Sequence, residues 1–202
     1  MGATDNQKII RYKIVVVGDI YVGKHAIINY IVDGYITPGI SINPAIYFRV
    51  KHISINEKKI VLWIYNAIGN ERYVSLIKHL CKDSYGYFIV YDISNKESFE
   101  NVDKWFKLIK ENAPQNSDII LLGNKSDLEE KRVIQVEEGK KKADELKISF
   151  YEISAKKGEF IYDALNELVQ RMFKKREEEE EEKEKENEKE KEKEKKDRCF
   201  CC

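Results

Sequence analysis

The segment Ile14-Val15-Val16-Val17-Gly18-Asp19-Ile20-Tyr21-Val22-Gly23-Lys24-His25 restricts the possible folds of this chain more than any other stretch. A run of β-branched residues predicts a buried strand, two glycines frame the loop that follows, and a helix starts at its end. In that setting Gly18 and Gly23 let the backbone turn its N–H groups inward around phosphate oxygens. The helix start adds its positive end, and Lys24 reaches the terminal phosphates. Gly18, Asp19, Ile20, Tyr21, Val22, Gly23 and Lys24 are therefore candidate phosphate-binding positions. Residue type alone leaves open whether the phenol of Tyr21 crowds the phosphates or shields them.

Further strand-length apolar runs occur at Ile60 to Tyr65, Tyr87 to Ile93, Ile119 to Leu122 and Ile148 to Ile153. Several are nearly continuous in Val, Ile, Leu and Phe, the signature of strands buried on both faces of a parallel sheet. Ala45 to Ser54 alternates instead, which suits an edge strand paired antiparallel with Ile60 to Tyr65 through a turn near Asn56. Helical spacing of apolar residues recurs in Glu97 to Asn112 and Phe160 to Phe173, while Trp63 and Trp105 fit as packing residues. The expected fold is α/β: a P-loop nucleotide-binding domain with a mostly parallel six-stranded sheet flanked by helices. Its ligand is expected beyond the carboxyl ends of the strands.

Two such loops carry further polar groups. Gly123-Asn124-Lys125-Ser126-Asp127 follows one strand, and Ser154-Ala155-Lys156 follows another. The two carboxylate oxygens of Asp127 match the adjacent N1–H and exocyclic amine of guanine, a pairing that adenine cannot make. Guanine is thus the expected base.

With both loops in place, the chain from about Tyr12 to Phe173 resembles the Ras superfamily of small GTPases and the Rab family in particular. The Rab character rests on Tyr91-Asp92-Ile93-Ser94-Asn95-Lys96-Glu97-Ser98-Phe99, on Glu71-Arg72-Tyr73 and on the cysteine-rich end. The resemblance implies GTP and GDP as ligands. It implies that Asn124 and Asp127 hold the base, that the stem of Lys125 flanks it, and that Ser154, Ala155 and Lys156 complete the pocket. It also implies effector and regulator proteins at the switch regions.

Several positions depart from that family. The Ser or Thr expected after the phosphate-loop lysine is His25, the first-switch threonine is Asn43, followed by Pro44, and the second metal-side motif reads Asn66-Ala67-Ile68-Gly69-Asn70-Glu71. His25, Asn43 and Asn66 thus stand at the Mg²⁺ positions, where imidazole and neutral amides are poor substitutes for hydroxyl and carboxylate oxygen. Asn70 takes the place of the catalytic glutamine and is one methylene shorter, whereas Gly69, which senses the γ-phosphate through its backbone, is retained. Nucleotide binding is expected to persist more readily than hydrolysis. The latter should fall below the intrinsic rate of a Ras-type protein, on the order of 10⁻⁴ s⁻¹.

The remaining features concern location. Lys and Arg number 36, as do Asp and Glu, so the chain has no net electrostatic footprint for nucleic acid. The four cysteines, Cys81, Cys199, Cys201 and Cys202, make no framework of paired disulfides, and the polar N-terminus does not read as a secretory signal. Residues 1–173 form the expected nucleotide-binding domain. Residues 174–198 form a Glu/Lys-rich tether, read as a helix that frays into solvated chain, with a charged single helix as the alternative. Residues 199–202 carry a terminal Cys-Cys similar to Rab ends that receive two geranylgeranyl groups at Cys201 and Cys202, and two lipid chains anchor stably where one is marginal. The expected protein is a membrane-anchored switch in vesicle trafficking, on the cytoplasmic face of endomembranes and cycling with the cytosol. The alternative is a non-hydrolysing scaffold of the same shape.

Overall fold

A computed structural model of the chain describes residues 9–36, 46–69 and 71–200. Asn43, Pro44, Asn70, Cys201 and Cys202 lie outside the described residues.

Six strands form one sheet: β1 (Ile10–Gly18), β2 (Ile46–Ile55), β3 (Lys58–Ala67), β4 (Gly86–Asp92), β5 (Asp118–Asn124) and β6 (Ser149–Ile153). Their order is β2-β3-β1-β4-β5-β6, parallel throughout except for the antiparallel β2–β3 pair. The edge strand and its hairpin partner are thus where the alternation of residues 45–54 places them. Asn56 and Glu57 both take left-handed φ, at 48° and 64°, which gives the two-residue turn the twist that a hairpin needs.

Both faces of the central strands β1, β4 and β5 are covered, which explains their continuous apolar runs. Ile14 and Val16 of β1 face one core with Ile27, Ile28 and Ile31 of α1 (Lys24–Asp33) and Leu165, Leu168 and Met172 of α6 (Ile161–Phe200). Val15 and Val17 face the other, with Ile77 and Cys81 of α2 (Val74–Cys81) and Trp105 and Ile109 of α4 (Val102–Asn112). Burial pushes the Cys81 thiol up to about 11, so this cysteine is a neutral packing group.

Three expectations need correction. The helix read over Glu97 to Asn112 is two segments, α3 (Lys96–Glu100) and α4, which meet at Asn101, whose side-chain amide donates to Asp19 of the phosphate loop. Trp63 is not a packing residue: it is 39% exposed on the outer face of the β2–β3 ribbon. The Glu/Lys segment is helical where a fraying chain is expected: α6 continues through it to Phe200, about 60 Å of helix at 1.5 Å per residue. Glu and Lys are good helix formers. The first turns beyond the core are also tied to the body by Lys175 to Asp118 at 2.7 Å, Lys58 to Glu177 at 2.8 Å and Asn116 to Glu179 at 2.6 Å.

One helix has little apolar periodicity to announce it. α5 (Val136–Leu146) buries only Gly139 and Ala143, and its start is fixed by the Gln135 N–H donating to Glu138 Oε2 at 2.8 Å.

Candidate nucleotide site

The carboxyl ends of β1, β3, β4, β5 and β6 bring the loops of interest to one edge of the sheet. The loop after β1 runs into α1 through Gly23, whose φ of 98° is left-handed and whose Cα faces the amide of Asn124. A Cβ there would lie 2.3 Å from Asn124 Nδ2. Tyr21 also takes a left-handed φ, 67°, and its side chain is 89% exposed, so the phenol projects into solvent instead of filling the loop.

Lys24 is buried, and its ammonium donates to the carbonyls of Gly18 at 2.9 Å and Asp19 at 2.6 Å. Burial lowers its pKa to about 8, against a partial opposing effect from Asp19. The carboxylate of Asp19 is held from behind: Trp105 Nε1 donates to Oδ1 at 2.8 Å and Asn101 Nδ2 to Oδ2 at 2.7 Å. Trp105 is therefore more than the packing residue its spacing suggests. No local signal reveals this, because its partner is 86 positions away.

Asn124, the last residue of β5, is almost fully buried and joins two loops. Its Nδ2 donates to Val22 O at 2.8 Å, and its Oδ1 accepts from the Ala155 N–H at 3.0 Å. Lys125 has a left-handed φ of 71°, and its Nζ pairs with Asp92 Oδ2 at 2.6 Å. Asp127 Oδ1 accepts from Ser154 Oγ at 2.7 Å, which orients the carboxylate that would meet the base. Lys156 is exposed at the rim. Arg132, with its side chain largely buried, clamps the end of this region to β6 through Glu152 at 2.6 Å and also bonds Glu129 at 2.7 Å.

The loop after β3 closes the site from the other side. A Cβ on Gly69 would lie 2.1 Å from Gly18 O, so the backbone there rests directly on the phosphate loop. Asn66 stands opposite Val16 of β1 and Tyr47 of β2. The imidazole of His25 packs 4.9 Å from the ring of Tyr47, whose hydroxyl donates to Asn29 Oδ1 at 2.9 Å. Arg49 Nη1 bonds the same oxygen at 3.1 Å, and Arg49 Nη2 bonds Asp33 at 2.8 Å, so one face of α1 is joined to β2 by a polar seam. His25 Nε2 and Asn66 Oδ1 are both buried without a hydrogen-bonding partner.

These two atoms bear on the fit for Mg²⁺. The described donors are one imidazole nitrogen and one neutral amide oxygen, whereas Mg²⁺ prefers six oxygen ligands and gains from carboxylate charge. Among the described residues no three His, Cys, Asp or Glu side chains converge on a metal-sized site. The donor set does not fit Mg²⁺.

An open cavity of about 220 Å³ lies at the other end of the sheet, lined by Tyr12, Asp118, Lys175 and Glu179. It adjoins the starts of β1 and β5 and is remote from the convergent loops. Among the described residues no helix is long and apolar enough to cross a membrane.

Comparison with known proteins agrees with this geometry. Residues 13–174 match the model of the Ras family. The chain is 34% identical to the Ras-related protein Rab-3B of Rattus norvegicus over 176 residues, covering 87% of this chain and 80% of the relative. Identity to Rab-3D of Homo sapiens is likewise 34% over the same shares. Rab-3A of Homo sapiens is 35% identical over 167 residues, covering 83% of this chain and 76% of the relative.

Proposed function

The chain belongs to the Ras family as a Rab-like small GTPase, and from that premise we propose that it is a prenylated guanine-nucleotide switch of vesicle trafficking in which GTP hydrolysis is weak. The observation that carries the nucleotide part is the linkage of the three loops through Asn124 and Ser154. Asn124 binds Val22 O and the Ala155 N–H, and Ser154 Oγ turns Asp127 toward the base.

In this reading Asp127 accepts from N1–H and the exocyclic amine of guanine, and the rigid Asn124 bridge sets the distance between base and phosphates. Lys24 leaves the carbonyls of Gly18 and Asp19 to meet phosphate oxygens, beside the backbone N–H groups of residues 19–24 and the start of α1. Gly69 contributes its backbone. A well-held Mg²⁺ would neutralise charge developing on the phosphates. His25, Asn43 and Asn66 do not supply its usual oxygen donors, and the shorter Asn70 is less suited to orient water. Slow turnover follows from the residues themselves.

Effectors and regulators would meet the β2–β3 ribbon. Phe48 and Trp63 are exposed there, and the Phe48 ring lies 5.2 Å from that of Tyr65 and 6.0 Å from that of Trp63, forming a continuous aromatic face. Geranylgeranyl groups at Cys201 and Cys202 would hold the chain to endomembranes, with the Glu/Lys part of α6 as spacer. A second reading, a non-hydrolysing scaffold, is favoured by the neutral donors at His25 and Asn66.

Denaturing the purified protein and identifying the released nucleotide, in parallel samples prepared with Mg²⁺ and with chelator, tests the proposal. GDP or GTP in both supports retention without tightly held Mg²⁺. An empty pocket in both would overturn the switch in favour of the scaffold.

A further inference from the structure

We infer that Asp92 is a positioning residue for the base: its carboxylate fixes Lys125 so that the nucleotide meets the lysine's methylene stem and not its ammonium. The inference rests on the guanine-nucleotide reading above, in which the stem of Lys125 flanks the base.

Asp92 is the last residue of β4, and its cross-strand partner is Asn124, the residue just before Lys125. The loops leaving β4 and β5 therefore start side by side. Lys125 leaves β5 with its left-handed φ of 71°, uncommon for a residue that carries a side chain. Its ammonium returns to the neighbouring strand end, where Nζ meets Asp92 Oδ2 at 2.6 Å.

The carboxylate is itself firmly held. Asp92 Oδ1 accepts from the Ser94 N–H at 2.9 Å and from Ser94 Oγ at 2.7 Å. The Asp92 N–H donates to Ser98 Oγ at 3.0 Å, and the Asn95 N–H donates to Asp92 O at 2.9 Å. Only 9% of the Asp92 side chain is exposed, against 30% for Lys125. Removing the cation from a carboxylate so little hydrated is unfavourable, so this pair is held more firmly than a pair of exposed side chains.

The consequence for binding is entropic. Lysine has among the largest rotamer freedoms of any side chain, and an unpinned stem would have to be ordered when the base arrives. Pinned at its far end by Asp92, the stem is ordered on folding instead, which lowers the cost of binding. With its ammonium engaged, Lys125 offers apolar contact, while the buried Lys24 supplies the charge beside the phosphate loop.

The test uses the full-length chain loaded with a fluorescent GDP analogue. Asp92→Asn keeps an acceptor oxygen for Ser94 but removes the charge that holds Lys125, and it is expected to quicken release about threefold or more with association little changed. Lys125→Met keeps an unbranched stem without the ammonium and should quicken release likewise. The double variant should release no faster than the faster single variant. Pyrophosphate, which has no base, should compete equally well for the unaltered chain and for Asp92→Asn, a result that a general loss of structure would not give. Unchanged release from Asp92→Asn would overturn the inference, as would multiplying effects in the double variant or a parallel loss of pyrophosphate and GDP affinity. If Asp92→Asn does not fold, Lys125→Met decides alone. Faster release with pyrophosphate competition unchanged supports the inference, and release at the unaltered rate overturns it. In each of these cases the analogue is still bound, so the guanine-nucleotide reading survives. Failure of the analogue to bind under any condition would overturn both.

Discussion

Asn124 Nδ2 donates to the carbonyl of Val22 at 2.8 Å, so the loop assigned to the base grips the loop assigned to the phosphates. The same amide accepts from Ala155, which makes one buried side chain the junction of three segments widely separated along the chain. A nucleotide reading both ends of this arrangement meets a preset spacing.

Replacing that junction should therefore affect affinity and stability together. Asn124→Ala leaves the Val22 carbonyl and the Ala155 N–H without their partner, and each unsatisfied buried group costs about 1–3 kcal/mol. Equilibrium urea unfolding should show a lower midpoint with an unchanged slope. Competition with a fluorescent guanine nucleotide should show weaker binding in the same protein.

The base assignment has a sharper test. Asp127→Asn turns a pair of acceptors into one acceptor and one donor, which matches the xanthine edge instead of guanine. Competition binding should show GDP losing affinity and XDP gaining it. GDP affinity equal to that of the unaltered protein would remove Asp127 from the base pocket.

Trp105 should matter through its N–H more than through its bulk. Trp105→Phe retains most of the apolar packing but removes one of the two side-chain donors to Asp19. Hydrogen bonds to charged groups contribute about 1.5–3 kcal/mol, so thermal unfolding should fall measurably. Nucleotide release should quicken as well, because Asp19 belongs to the phosphate loop. A stability loss with unchanged release would mean that the indole supports the core alone.

Lys24 gives the site a dependence on alkaline pH. Burial lowers its pKa in the nucleotide-free protein to about 8 from 10.5. The folded chain therefore binds fewer protons than the unfolded chain between these values. This residue's contribution to stability is least favourable below pH 8 and improves as pH rises toward 10.5. Binding has the opposite sign: phosphates favour the charged ammonium, so nucleotide binding above pH 8 should take up a proton and weaken with rising pH. Calorimetry in two buffers of different ionisation enthalpy should show proton uptake at pH 9 that vanishes in Lys24→Met.

Several parts of this protein follow from residue order alone. The continuous apolar runs of β1, β4 and β5 admit only strands buried on both faces, and the glycines around residues 18–23 admit a loop that no bulkier sequence would form there. Lys24 in the phosphate loop and the two acceptor oxygens of Asp127 after β5 carry the expectation of a guanine nucleotide. These signals are legible because they arise from local sterics and from side-chain chemistry that does not depend on distant partners.

Tertiary structure decided the rest. It divided the helix at Asn101, tied Trp105 to Asp19, and exposed Trp63. It also turned Tyr21 outward, joined three loops at Asn124, and left His25 Nε2 and Asn66 Oδ1 buried without partners. The linking contacts cross 86 positions for Trp105 and Asp19 and 102 for Asn124 and Val22. Hydrogen-bond satisfaction in a buried site is a property of groups the chain brings together only once it is folded. Sequence order could therefore nominate the residues, but only the packed sheet could determine what each side chain is bonded to.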